Sequence, residues 1–168
     1  MGRPLDPLVA FNFNVEIDGL PDARFKSVEG IEKEIVVIEW SEAGDIATAR
    51  KVPGKTKFPN VTLVQGMSAE IGATEWQEEI FRLQAGFEQT GGRGNAASFR
   101  RTITITQHDK SGRDIIRYTL YSCWITKWSL DTLDAESDDQ ISTVKLEVAY
   151  EGFDMELLND AIVPINAI

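Results

Sequence analysis

Polar and apolar residues alternate along Phe11-Asn12-Phe13-Asn14-Val15-Glu16-Ile17, and this period of two most narrows the folds open to the chain. Successive strand side chains point to opposite faces, so Phe11, Phe13, Val15 and Ile17 share one face while the polar residues share the other. Asp18-Gly19 then supplies a turn. Residues 35–40, 60–65, 99–107, 114–121, 124–130 and 141–150 are similarly rich in β-branched and aromatic residues between turn signals. A mainly antiparallel β protein is expected.

A chain of 168 residues, 42% of them hydrophobic, fits one domain over residues 1–168 with a substantial core. It holds no run of about 18 apolar residues, and Met1-Gly2-Arg3-Pro4-Leu5-Asp6-Pro7 lacks the apolar centre of a signal peptide. The expectation is a soluble cytosolic product with no direct membrane insertion. A net charge of −10 argues against specific nucleic-acid binding, which works chiefly through Lys and Arg contacts to phosphate. The lone cysteine, Cys123, has no internal disulfide partner and sits in an apolar run, which predicts a buried, reduced thiol.

One helix stands out. Thr74 and Gln77 have capping-box spacing, Trp76, Ile80, Phe81 and Leu83 form an apolar stripe, and Gly86 suits a left-handed stop. The helix is expected to flank the sheet. Residues 108–113, His-Asp-Lys-Ser-Gly-Arg, read as a tight turn joining two strands, with His108 a solvated turn residue. Residues 89–95 form a Gly-rich loop, and the apolar ending within residues 153–168 is expected to dock on something.

Within this acidic chain lies a basic segment, Arg50-Lys51-Val52-Pro53-Gly54-Lys55-Thr56-Lys57-Phe58-Pro59. Two prolines and a glycine predict a stiff exposed loop running into the strand at 60–65. Its charge implies an acidic partner. Gly54-Lys55-Thr56 resembles the end of a phosphate-binding loop, but Ala49 stands where that loop needs glycine, Pro53 removes a backbone donor, and a strand follows instead of a helix. Gly91-Gly92-Arg93-Gly94 lacks dinucleotide spacing and a preceding strand.

Asp131, Asp134, Glu136, Asp138 and Asp139 crowd one loop. A calcium loop would want glycine and glutamate where Asp139 and Lys145 stand, so a solvated acidic loop, a docking partner for a basic one, is the better reading. Asn60-Val61-Thr62 matches a glycosylation sequon but falls inside an expected strand. Trp40, Trp76, Trp124 and Trp128 are anchors of a core or an interface. No nucleophile, base and orienting group can be nominated together, so neither an enzyme nor a cofactor or metal site is expected.

The chain resembles the tube proteins of contractile injection machines: phage tail tubes, extracellular contractile injection systems and the haemolysin-coregulated tube of type VI secretion. The resemblance runs through Asp6-Pro7-Leu8-Val9-Ala10-Phe11-Asn12-Phe13, Val15-Glu16-Ile17-Asp18-Gly19, the Phe25-Lys26-Ser27-Val28-Glu29-Gly30 turn, and residues 50–63 followed by Gly66. It continues through Trp76, the Gly-Arg loop with Arg100-Arg101, Trp124 before Lys127-Trp128, and Glu147-Val148-Ala149-Tyr150-Glu151-Gly152.

That resemblance implies a β-barrel-like pair of antiparallel sheets with one flanking α-helix and an extended protruding loop at residues 41–59. It further implies homo-hexameric rings stacked into a hollow conduit for an effector or DNA, with sheath and baseplate proteins as partners. Such a protein is made in the bacterial cytoplasm and assembled into a phage tail or contractile injection particle. The expected inter-subunit contacts are Arg50, Lys51, Pro53, Gly54, Lys55, Lys57, Phe58 and Pro59, whose cations would pair with carboxylates of a neighbouring copy. Alternatives are a tube-initiating baseplate subunit and, from another class, a soluble β-barrel module binding a small ligand in its interior.

Overall fold

In the computed structural model, the structure describes residues 12–20, 24–41, 44, 49–66, 72–84, 99–131 and 141–158. Its strands are β1 (Phe13–Ile17), β2 (Phe25–Glu29), β3 (Glu34–Trp40), β4 (Arg50–Lys57), β5 (Val61–Gly66), β6 (Arg101–His108), β7 (Asp114–Leu130), β8 (Thr143–Ala149) and β9 (Gly152–Leu157). A helix, α1 (Gly72–Gln84), lies between β5 and β6. Every strand pairing is antiparallel.

Two sheets share the 17-residue β7. Its first half pairs with β6 and β9, and β1 continues this sheet beyond β6. Its second half pairs with β8, followed outward by β5 and β2. The expectation of two strands at 114–121 and 124–130 gives way to one bent strand. At the bend, Ser122 has φ 55 and the β6 register slips between Arg101 and Ile103, so a bulge turns the strand from one sheet into the other. Among the described strands the path from β1 to β2 stays open, so the pair of sheets is barrel-like without being a closed barrel.

Alternation places the core where the first motif predicts. Val15 and Ile17 are buried while Asn14 and Glu16 face solvent. Leu63, Ile103, Leu120, Leu146 and Val148 have no accessible surface, and Cys123 lies among them. From α1, Ala73, Trp76 and Ile80 complete this cluster. Phe81 is 61% exposed, correcting the expected stripe, because it lies roughly 100° further round the helix than Ile80. Thr74 lies inside α1 rather than at its cap, since the helix begins earlier, at Gly72. Gly86 and the loop at 89–95 lie outside the described residues.

Three other expectations change. The Phe25–Glu29 segment is an edge strand on β5 rather than a turn. Part of the apolar ending, Gly152–Leu157, is β9, whose Phe153 pairs with Leu120 and packs against the core. Residues 159–168 lie outside the described residues. The third change concerns the basic segment.

Candidate assembly interface

Arg50–Lys57 is a strand, β4, rather than a loop. Pairing with β3 supplies the backbone partners that a loop would leave to water, and an edge strand tolerates the donor missing at Pro53, which stands opposite Val37. Between the Ile35–Thr56 and Val37–Pro53 pairs the register slips, with Gly54 and Lys55 facing the single residue Val36. A Cβ on Gly54 would come within 2.8 Å of the Val36 carbonyl oxygen, so glycine is required for the bulge to close.

The two-stranded arm β3–β4 leaves the body between β2 and β5, which are themselves paired. It is the outward continuation of the same hairpin, interrupted at residues 30–33 and 58–60. Register puts Trp40, Arg50, Ile38 and Val52 on one face and Glu39, Lys51, Val37, Pro53 and Ile35 on the other. Both faces carry half-exposed apolar side chains: Ile38 53%, Trp40 49% and Val52 47% on one, Ile35 51% and Val37 56% on the other. Neither face has a sheet to cover it among the described residues.

Charge flanks this apolar material. Lys51 stands 4.0 Å from Glu39 across the arm, an exposed pair of little energetic weight. Lys55 and Lys57 have no ion pair among the described residues. Phe58 parts company with the cations: its ring packs in its own body, 5.7 Å from Tyr150 and 6.2 Å from Phe153. Pro59 is half-buried beside it.

Elsewhere the chemistry is sparse. An open groove of about 310 Å³ lies on the polar face of the β1–β6–β7 sheet, lined by Glu16, Thr104, Thr106, His108, Asp114 and Arg117. His108 ends β6, with its Nδ1 2.8 Å from Asp114 Oδ1. Burial pushes the Cys123 thiol up to about 12, which keeps it protonated and unreactive. The described residues hold no group of three or more metal-ligating side chains. No helix among them is long and apolar enough to cross a membrane. Among the described residues, buried apolar side chains from both sheets and α1 pack into one cluster between the sheets.

The family model described as T4-like virus tail tube protein gp19 matches residues 9–154. The chain belongs to that family. As a tail tube protein it is a structural inner-tube component of a phage tail or a phage-tail-like contractile machine.

Solved structures share the tail tube protein's fold. One is the sheath–tube complex of an extracellular contractile injection system, PVC, in its extended state, at TM-score 0.70 and 18% identity over 90% of this chain and 93% of the other. Another is the tube-terminating cap of the anti-feeding prophage, at TM-score 0.74 and 16% identity over 94% and 95%. Hcp1 from Salmonella typhimurium is more distant, at TM-score 0.53 and 12% identity over 89% and 87%. No curated protein sequence matches.

Of the expected contact residues in this tail tube protein, the structure brings Arg50, Lys51, Pro53, Gly54, Lys55 and Lys57 onto one strand of the arm. In the apolar half of the surface, Trp40 was expected as a core or interface anchor, whereas Ile35, Val37 and Ile38 were not nominated. Their signal is the unbroken apolar run Ile35-Val36-Val37-Ile38, which marks a strand wanting cover on both faces. In the acidic loop only Asp131 is described. It accepts a hydrogen bond from Thr143 Oγ1 at 3.0 Å and lies 3.7 Å from Lys145 Nζ. Asp134, Glu136, Asp138 and Asp139 lie outside the described residues.

Proposed function

We propose that copies of this tail tube protein join into rings of six that stack into a hollow tube, and that the β3–β4 arm is the principal contact between copies. The observation that carries this reading is an arm with half-exposed apolar side chains on both faces, neither of them covered by a sheet among the described residues. Covering five half-exposed apolar side chains would contribute on the order of 1 kcal/mol each, enough to matter when repeated around a ring. The chain's −10 charge makes any neighbouring copy an acidic partner for Arg50, Lys51, Lys55 and Lys57, while Pro53 and Gly54 shape the strand that presents them. Phe58 and Pro59 serve the arm from its base.

Six copies would carry roughly −60, so lateral repulsion has to be offset at the contacts, where β4 concentrates cations. A head-to-tail contact that does not close along the axis propagates into a filament, the geometry of a stacked tube. The open strands at the ends of the sheets would pair between copies and satisfy their backbone groups. The solved relatives, described as a sheath–tube complex and a baseplate, support sheath and baseplate proteins as partners. An effector or DNA is the cargo, and the conduit itself performs no reaction. The protein is made in the bacterial cytoplasm and ends in the assembled particle.

Negative-stain imaging of the purified chain tests this reading. Rings or tubes with a central channel are expected from the wild type, and folded monomers from the Lys51→Glu/Lys55→Glu double variant. Unaltered tubes from that variant would remove the arm's cations from the interface. Self-stacking of the purified chain distinguishes the main tube role from that of a tube-initiating subunit.

A further inference from the structure

The arm is long, and a tube requires it to leave the body in one direction. Its two legs, residues 30–33 and 58–60, lie outside the strand ladders, so backbone pairing does not set their path. Tyr150 occupies the bend between β8 and β9 and is 4% exposed. Its hydroxyl accepts a hydrogen bond from the Glu32 backbone N–H at 3.1 Å and donates one to the Glu32 carbonyl oxygen at 2.8 Å. A single side chain, 118 residues away in sequence, thus satisfies both backbone groups of one residue, as a neighbouring strand would.

The same ring holds the other leg. Tyr150 meets Phe58 at 5.7 Å and Phe153 at 6.3 Å, and Phe58 meets Phe153 at 6.2 Å, all in tilted or edge geometry. At the joint itself, Gly30 has φ +88, and a Cβ there would approach the Asn60 carbonyl oxygen at 3.1 Å, so the two legs cross closely. Both legs are therefore fastened to one residue of the body.

We propose that Tyr150 is the positioning residue of the arm: its hydroxyl and ring fix both legs, so that the arm is presented to a neighbouring copy already oriented. This presupposes the arm-mediated assembly proposed above. Orientation fixed in the monomer need not be gained on association, and preorganisation of this kind lowers the concentration at which copies join.

The test is Tyr150→Phe, which keeps the ring and deletes the hydroxyl, with Phe58→Leu as a second variant that loosens the other leg without touching Tyr150. Amide hydrogen exchange in the monomer, thermal melting and the critical concentration for tubes are measured. The expected result for Tyr150→Phe is a melt within a few degrees of wild type, faster exchange at Glu32 and along β3–β4, and a critical concentration raised about tenfold or more, the scale of losing the hydroxyl's two hydrogen bonds to Glu32. If Tyr150→Phe does not fold, Phe58→Leu decides by the same readouts. Wild-type exchange in the arm together with a wild-type critical concentration would overturn the proposal. Exchange at Glu32 is read on the monomer, so a wild type that forms no tubes defeats the assembly reading separately from the anchor.

Discussion

Arg101 donates from Nη2 to the Glu79 carboxylate at 3.1 Å, fastening α1 to the first residue of β6. The same guanidinium donates from Nη1 to the Asp18 carbonyl oxygen at 2.9 Å and lies 5.8 Å from the centre of the Trp76 ring. Three elements thus meet on one side chain that is only 20% exposed.

Replacing Arg101 with Ala should lower stability by about 2 kcal/mol, because hydrogen bonds from a charged donor are lost and Glu79 is left without its partner. Urea unfolding measures it. Gly19 sits at φ +74, and a Cβ there would fall 2.5 Å from Arg101 Nη1. Gly19→Ala should therefore cost more in the wild type than in Arg101→Ala, and a double-mutant cycle showing strict additivity would refute the contact.

Gly54→Val should act on the arm alone. Its side chain would meet the Val36 carbonyl and the Ile38 side chain, forcing the bulge open, while the core cluster contains no arm residue. A melting temperature within about 2 °C of wild type, with tubes lost in negative stain, is the expected pair of results. Loss of fold instead would mean that the arm stabilises the monomer.

Cys123 titrates at about 12 in the folded chain, raised by burial from the ordinary 9.0. Because the folded state holds this proton more tightly, its contribution is fully present below pH 9 and is lost as pH rises towards 12. The slope attributable to this group is at most about 1.4 kcal/mol per pH unit. Stability against pH for wild type and Cys123→Ser should diverge in that window alone. A thiol reagent at neutral pH should label only unfolded chains.

Asp109 behaves oppositely. The Ser111 hydroxyl bonded to its carboxylate, with help from the backbone N–H groups of Ser111 and Arg113 and the charge of Arg113, holds it down to about 2 from 3.8. Its contribution to the β6–β7 turn is complete above pH 3.8 and lost as pH falls through 2. An NMR titration should find the midpoint near 2 in wild type and a higher one in Ser111→Ala.

Where one face of a strand is buried, the fold was legible from residues alone: β1, β5, β6 and β8 follow alternation or β-rich runs closely. Three strands escaped: β2, which was expected as a turn, and β4 and β9, where a competing signal masked the pattern. Phe153, Met155 and Leu157 alternate as β9 requires, yet the apolar stretch after them made the whole ending look like a tail. Pro53 and Gly54 marked a loop because both disfavour strands, and only the pairing with β3 reveals an edge and a bulge that accept them. The cations of the proposed contact surface stand out in the sequence as a basic segment in an acidic chain. Its apolar half, Ile35, Val37 and Ile38, was legible only as strand, because the same residues would be core in any strand covered on both sides.

β7 belongs to both sheets, so the two layers of each subunit are joined by main chain as well as by side-chain contact. A shear that drives one layer past the other must work against covalent bonds and two hydrogen-bonded ladders at once. A subunit built this way bears load across its two layers as a single thickness.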